Sequence, residues 1–200
     1  MSKHFTMDDV VALAKKYKNW GKWGNDDQVG TLNYITPEKI VDAANLVKQG
    51  RVISLAIPFD DNGPQTGSFG RFNPIHFMLQ DGADVSIGAQ DHLPNIQYTD
   101  DAVTMPLQCA TQWDALAHIM YKGKMYNDFD ATEVNSTGAK KNGMENAKDK
   151  IVSRGVLLDI PRLKDKPWLV PGEAIYPEDL DAAAKMGDVA IEVGDIVLIR

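Results

Sequence analysis

The sequence predicts a mixed α/β fold with more strand than helix. Two stretches near the N-terminus have the apolar spacing of amphipathic helices, and after residue 50 the chain changes to short β-rich runs. Gly, Pro, Asp and Asn separate these runs, as is typical of strands joined by turns. We therefore expect a single domain over residues 1–200, with a helical segment at about 6–50 and a strand-rich body over 51–200.

The expected helices have clear start and stop signals. Thr6 followed by Asp9 is a capping pattern ahead of an apolar stripe that ends near residue 17. Thr36 precedes "PEKIVDAANLV", which opens with proline, and Gly50 ends that helix. A third, shorter helix is expected in "YPEDLDAAAKM", where the acidic residues of the first turn favour the helix dipole.

Six runs are expected to form strands: "RVISLAIP", "PIHFMLQ", "DVSIGA", "AVTMPLQCATQWD", "GVLLDIP" and "GDIVLIR". The polar segment 128–150 has little periodicity and is expected to be an ordered loop or a lid. The last run is largely apolar, as interior strands are, and the sequence stops on it. We therefore expect this chain to be a fragment of a longer protein, incomplete at its C-terminus.

Composition places the chain among soluble globular proteins. It is 44% hydrophobic and 24% charged, with a net charge of −7 and a pI near 5.0. An acidic surface repels nucleic acid and anionic membranes, which are polyanions. One cysteine cannot form an internal disulfide, and the N-terminal stretch lacks the apolar core of a signal peptide. We expect a cytoplasmic protein whose partner is a small-molecule substrate, with no nucleic acid and no membrane.

The stretch "MPLQCATQWDALAHIMYKGKMYN", residues 105–127, concentrates polar groups that could bind a cation. Gln108, Gln112, Asp114 and His118 follow one another at spacings of four, two and four. In an extended chain all four point to one side, but a straight strand would separate the first from the last by about 33 Å. They converge only if the segment bends, which we expect at 110–111 and after Asp114. Two amide oxygens, a carboxylate and an imidazole would then suit a divalent cation.

Each candidate also has an ordinary structural explanation. The polar string arises easily by chance, so a hydrogen-bonded strand end remains an alternative to a metal site. A Cys109–His118 nucleophilic pair is conceivable, but strand alternation puts Cys109 on the opposite face and favours a buried thiol. His76 and His92 are candidate substrate or metal partners from neighbouring strands and loops, although a lone histidine is more often simply hydrogen-bonded. Trp113 either lines a substrate pocket or packs behind the ligands.

Asp26 and Asp27 could approach a cation, but a simpler explanation is available for them. Asp26 and Asp27 lie in a polar, glycine-rich loop, where turn and capping roles explain them. His4 belongs to the N-terminal tail and is expected to be exposed.

The segment "QCATQWDALAH" resembles the signature of the cyclase family of metal-dependent hydrolases, which includes kynurenine formamidase and isatin hydrolase. That signature is His-x-Gly-Thr-His-x-Asp-x-x-x-His. Thr111, Asp114 and His118 match it; Gln108 and Gln112 stand where its first two histidines are expected, and an alanine replaces its glycine. "WGNDDQVGTLN", "RGVLLDIPR" and "EVGDIVLIR" also resemble the family, so the likeness covers nearly the whole chain. The glutamine-containing version resembles trans-dienelactone hydrolase-like enzymes, which open lactones.

The resemblance implies a swivelling β/β/α fold in which Zn²⁺ or Mn²⁺ activates water to attack a formamide, cyclic amide or lactone carbonyl. This is arylformamidase-like chemistry, of the kind used in tryptophan catabolism. Asp114 would be the anionic ligand, Gln112 and Gln108 would bind through their side-chain oxygens, and His118 would be a ligand or a general base.

The resemblance also carries expectations about the metal, the assembly and the rest of the protein. Amide oxygens in place of imidazoles shift the preference towards Mn²⁺. A complete site would take a His and a Glu from beyond "GDIVLIR", and the protein would be a homodimer or a larger homo-oligomer. The alternative is a catalytically inactive small-molecule binder of the same fold, with a lost or weakened metal site.

Overall fold

The computed structural model describes residues 5–200, which divide into two compact units. Unit 1 joins the described residues up to Gly50 with Ala115–Arg200, and unit 2 is Arg51–Asp114. The prediction for His4 lies outside the described residues, and the single-domain prediction stays a prediction.

The described α-helices are α1 (Met7–Tyr17), α2 (Pro37–Ala44), α3 (Gly82–Ser86), α4 (Ile160–Leu163) and α5 (Pro177–Met186). The described strands are β1 (Ile75–Gln80), β2 (Asp100–Thr104), β3 (Val134–Asn135), β4 (Gly138–Ala139), β5 (Gly155–Leu158) and β6 (Ile196–Ile199). Short 3₁₀ helices occupy Gly30–Tyr34, Ser68–Gly70, Leu116–His118, Tyr126–Asp128, Ala131–Glu133 and Met144–Ala147.

The expected helix starts in unit 1 are confirmed. The Thr6 hydroxyl accepts a hydrogen bond from the Asp9 backbone N–H, and the Asp9 carboxylate accepts one from the Thr6 N–H, so α1 begins with a capping box. Thr36 caps α2 by accepting from the Lys39 N–H at 3.3 Å, and both α2 and α5 begin with proline.

The core of unit 1 lies between a two-stranded parallel sheet and the two helices that follow its first strand. β5 pairs in parallel with β6, and its side chains alternate between exposed and buried. Val156 and Leu158 on its inward face pack with Ile160 of α4 and Ala183 of α5, all nearly inaccessible to solvent. The connection between these strands runs through α4 and α5, as parallel pairing requires a crossover.

Unit 2 is built around an antiparallel pair. β1 and β2 pair from Ile75 opposite Thr104 to Gln80 opposite Asp100, with an irregularity between Met78 and Gln80. β2 leads directly into the stretch that carries the candidate site residues.

One expected strand lies partly in a helix, and another is shorter than expected. "DVSIGA" contributes to helix α3, because Asp81 accepts hydrogen bonds from the N–H groups of Ala83 and Asp84 and so initiates a helical turn. "AVTMPLQCATQWD" is a strand only as far as Thr104; Pro106, which has no N–H to donate, opens a turn there.

The expectation of a strand-rich fold is not confirmed; what holds is a mixed α/β fold with small sheets. "RVISLAIP", residues 51–58, pairs with no strand in the described part of the chain. A β-pattern becomes a strand only where a partner satisfies its backbone groups. The segment 128–150 is an ordered series of 3₁₀ turns and the β3–β4 pair. Within residues 5–200, no helix is long and apolar enough to span a membrane.

Candidate functional site

The path of the chain after β2 determines how the polar residues of unit 2 are presented. The Cys109 N–H donates to the Pro106 carbonyl at 3.1 Å, which closes a turn around Gln108. The chain then bends over residues 109–111 and runs without regular structure to Asp114. A bend at 110–111 was expected, and it lets Gln108 reach Asp114 six residues later.

Gln108 lies between a cation and an anion. Its side-chain Nε2 donates to Oδ1 of Asp114 at 2.8 Å, and its Oε1 accepts a hydrogen bond from Nη2 of Arg71. The carboxamide therefore connects the Arg71 guanidinium to the Asp114 carboxylate. A hydrogen bond to an ionised group is shorter and stronger than one between neutral groups, and this carboxamide makes one at each end.

The turn that carries Gln108 is also held through its backbone. Nε2 of Gln65 donates to the carbonyl oxygens of Gln108, at 3.3 Å, and of Cys109, at 3.0 Å. The Gln65 N–H in turn donates to Oδ1 of Asn73 at 2.8 Å. The loop 65–73 therefore contacts the turn through Gln65 and also carries Arg71.

The residues that follow are open to solvent. Gln112 and Asp114 are exposed, and Trp113 between them has 57% of its surface exposed. The role of Trp113 in lining a substrate pocket stays a prediction. Cys109 is fully buried, which confirms the expected buried thiol and separates it from solvent.

His118 belongs to unit 1, in the 3₁₀ helix Leu116–His118, and is exposed. Its neighbour Ala117 is buried and donates its N–H to the carbonyl of buried Asn142 at 3.1 Å. The Asn142 N–H donates to Oε1 of Gln28 at 2.8 Å. These contacts anchor the backbone beside His118, because a buried, hydrogen-bonded neighbour restricts its motion.

The other predicted histidines lie elsewhere in unit 2. His76 is on β1, and its Nε2 lies 2.7 Å from Oδ2 of Asp101 on β2. Both side chains are about half exposed, so this is a surface pair of small energetic value. His92 is exposed in the turns after α3. Their roles in substrate binding stay predictions.

Asp27 has the capping role that was expected of it. Its carboxylate accepts from the Gly30 N–H at 2.9 Å, from Asn33 Nδ2 at 2.6 Å and from the Tyr126 hydroxyl at 2.7 Å. Burial alone would raise the pKa of Asp27, but the hydrogen bonds from Asn33, Tyr126 and Gly30 outweigh it and lower that pKa. Burial and the contact with Asp27 raise the pKa of Tyr126.

A metal at this site would have to be compatible with the donors present. Asp114 offers an anionic carboxylate, Gln112 an amide oxygen and His118 an imidazole, all donor types that a divalent cation such as Mn²⁺ accepts. Gln108 could serve as a ligand only if its oxygen left Arg71, because a second cation beside the guanidinium would be repelled. Among residues 5–200, no group of three or more His, Cys, Asp or Glu side chains is placed to hold a metal.

Sequence reasoning did not identify Arg71 and Gln65 as part of this arrangement. Arg71 follows a sharp turn in which Gly67, Phe69 and Gly70 all have positive φ. The two glycines of "GSFGR" indicate such a turn. The partner of an arginine that follows it is a long-range contact, which a local pattern does not specify.

Two comparisons relate the chain to known proteins. A family model described as "Putative cyclase" matches residues 28–200. A crystal structure described as that of a novel cyclase is 44% identical in sequence, with a TM-score of 0.86 over 92% of this chain and 61% of that one. The chain therefore spans about three-fifths of the length of that neighbour. No curated protein matches the sequence. The match over residues 28–200 shows that the chain belongs to the cyclase family.

Proposed function

We propose that this chain carries the site of a metal-dependent hydrolase that uses water to open a formamide, a cyclic amide or a lactone. The cyclase-family match supports an enzyme of this kind. The observation that carries the proposal is the exposed Asp114 carboxylate, which Gln108 holds by a 2.8 Å hydrogen bond. Metal-binding carboxylates are commonly held by such an outer hydrogen bond.

In this proposal Asp114 and Gln112 would hold one divalent cation, Mn²⁺ or Zn²⁺, and His118 would be either a further ligand or the general base. When bound, the metal supplies Lewis acidity towards the substrate carbonyl and a lowered pKa for water. The Asp114 carboxylate contributes the negative charge of the site, and Gln108 fixes the position of one of its oxygens. As the base, His118 would take the proton of the attacking water and deliver it to the leaving group.

The bond changes are those of acyl hydrolysis. The water oxygen bonds to the carbonyl carbon, the C–N or C–O bond breaks, and the leaving nitrogen or oxygen takes a proton. The products are a carboxylic acid and an amine or alcohol, joined in one molecule where the substrate was a ring. Trp113, with its exposed indole, provides an apolar surface for the ring of the substrate.

Metal binding and turnover test the proposal together. Purified, chelator-treated protein is titrated with Mn²⁺ and with Zn²⁺ by calorimetry, and is then assayed on an N-formyl arylamine, a cyclic amide and a lactone. We expect stoichiometric binding, metal-dependent turnover of one substrate class, and loss of both in Asp114→Asn. Asp61→Asn, an exposed carboxylate of the same unit, is the matched control. Absence of binding by the wild-type protein would refute the metal-dependent hydrolase.

A second candidate function is a non-catalytic small-molecule binder. Two observations favour it: Arg71 already supplies positive charge to Gln108, and no His, Cys, Asp and Glu group in residues 5–200 is placed for a metal. This function predicts that a ligand raises the thermal stability of the chelator-treated protein, and that Trp113→Ala abolishes the effect. A metal requirement for ligand binding would exclude it.

We further propose that the protein acts in the cytoplasm as a homodimer or larger homo-oligomer. Sedimentation velocity over a range of protein concentrations tests the assembly, and fractionation of expressing cells tests the location. A monomer at all concentrations would contradict the first of these proposals.

A further inference from the structure

Arg71, Gln108 and Asp114 form a chain of hydrogen bonds that alternates in charge. A guanidinium donates to the amide oxygen of Gln108, and the amide nitrogen of Gln108 donates to a carboxylate oxygen. If the carboxamide were turned by 180°, its NH₂ would face the guanidinium N–H groups and its oxygen would face the carboxylate. Both contacts would be repulsive, so the charges at the two ends determine the orientation of the amide.

The loop that carries Arg71 is held by hydrogen bonds other than those from Arg71 to Gln108 and from Gln108 to Asp114. Gln65 bonds the backbone of the Gln108 turn, and Asn73 receives the Gln65 N–H. Nδ2 of Asn73 also donates to the Asp61 carbonyl at 3.0 Å. These contacts involve the side chains of neither Arg71 nor Gln108, and they hold the backbone of the Arg71 loop close to that of the Gln108 turn.

The sharp turn before Arg71 limits where its guanidinium can lie. Phe69 has a φ of 57°, a left-handed conformation that costs a bulky residue about 1–2 kcal/mol. The Phe69 ring lies 5.6 Å from the guanidinium carbon of Arg71. This distance is within the range of a cation–π contact, which adds to the preference for one position of the arginine.

We propose that Arg71 and Gln108 are positioning residues for the Asp114 carboxylate. Arg71 polarises the Gln108 amide, which strengthens the hydrogen bond that Gln108 donates to Asp114. The role in cation binding rests on the proposed function, whereas the positioning of Asp114 does not.

The first test needs no metal. In ¹⁵N-labelled protein, the side-chain NH₂ resonances of Gln108 are identified by their loss in Gln108→Leu. We expect both Arg71→Gln and Asp114→Asn to shift them, because each removes one end of the chain. Arg51→Gln, an exposed arginine of the same unit, should leave them unchanged. Resonances that do not move with Arg71→Gln would overturn the inference whether or not the protein binds a metal.

The second test measures what the positioning contributes. Calorimetric titration with Mn²⁺ should show binding weakened about 10–100-fold by Arg71→Gln and by Gln108→Leu, the usual effect of losing an outer-shell partner. The double variant should bind no more weakly than Gln108→Leu, since the two residues act in series. Arg71→Lys, which keeps a charged donor, should recover part of the loss.

The outcomes separate the two proposals. If the wild type binds Mn²⁺ and both variants match Arg51→Gln, the positioning role is overturned and the proposed function remains. If the wild type binds no Mn²⁺, the proposed metal site is overturned, and the NMR result alone decides whether Arg71 and Gln108 position Asp114.

Discussion

Replacing Asp195 by Asn should destabilise unit 1 through the loss of one buried charge. The Asp195 side chain has no exposed surface, and it accepts from Arg154 through Nε, at 2.9 Å, and through Nη2. It also accepts from Lys39 Nζ at 2.8 Å and from the Glu192 N–H at 2.7 Å. Four donors therefore converge on one carboxylate, which joins α2 to the starts of β5 and β6.

The size of the effect follows from what the substitution leaves behind. Removing one partner of a fully buried ion pair costs about 3–5 kcal/mol, because the other charge stays desolvated. Here 23% of the Arg154 side chain and 14% of the Lys39 side chain are exposed to solvent. The Glu192 carboxylate also lies 3.6 Å from Arg154 and 3.0 Å from Lys39, so neither cation is left without an anion. We therefore expect Asp195→Asn to lower the free energy of unfolding by about 2–3 kcal/mol at pH 7, below the fully buried range.

The stability lost in Asp195→Asn should become smaller as the pH falls. The hydrogen bond from Arg154, followed by that from Lys39, holds the pKa of Asp195 well below its ordinary value of 3.8. A carboxyl with a depressed folded-state pKa contributes its full stability above its unfolded pKa, and loses it as the pH falls through the folded pKa. The difference between wild type and Asp195→Asn should be constant near neutrality and shrink below about pH 4.

Urea unfolding followed by circular dichroism from pH 7 down to pH 3 measures both quantities. Asp181→Asn, an exposed carboxylate on α5, is the control and should change the unfolding free energy by less than about 0.5 kcal/mol. A difference that grows on acidification, or an Asp195→Asn variant as stable as the control, would refute the reasoning.

Three other stability predictions use matched pairs or local structure. Gly194→Ala should cost about 2 kcal/mol more than Gly172→Ala: both have φ of +85°, but a Cβ at 194 would lie 2.7 Å from a backbone carbonyl, and one at 172 meets nothing within 4 Å. Equal unfolding midpoints would contradict this. Leu158→Ala, at a fully buried position, should cost about 2–5 kcal/mol; Leu157→Ala, 57% exposed on the same strand, should cost far less, and urea melts compare the two. Asp81→Ala should cost about 1 kcal/mol by removing the cap of α3, seen as faster amide exchange in that helix; unchanged exchange would argue against the cap.

Local patterns predicted the starts of α1 and α2 because a helix start depends on adjacent residues, but α2 ends at Ala44 and not at Gly50 as expected. Thr6 and Thr36 cap α1 and α2 through N–H groups three residues away, which a sequence displays directly. The same principle explains the error at "DVSIGA", where Asp81, just before the run, initiates a helix that the β-rich pattern hides. The β-rich run "GVLLDIP" correctly predicted a strand, which is β5.

The sequence by itself determined the family-like motif, the capped helices, the buried Cys109 and the need for a bend near residue 110. Only the tertiary structure decided what Gln108 contacts, because Arg71 lies 37 residues away and meets it through a turn that no periodicity describes. Strand pairing also depends on distant residues: residues 51–58 have a β-rich pattern, but they pair with no strand among the described residues. Hydrogen bonds between distant segments depend on where the whole chain packs, and a local pattern carries no information on that.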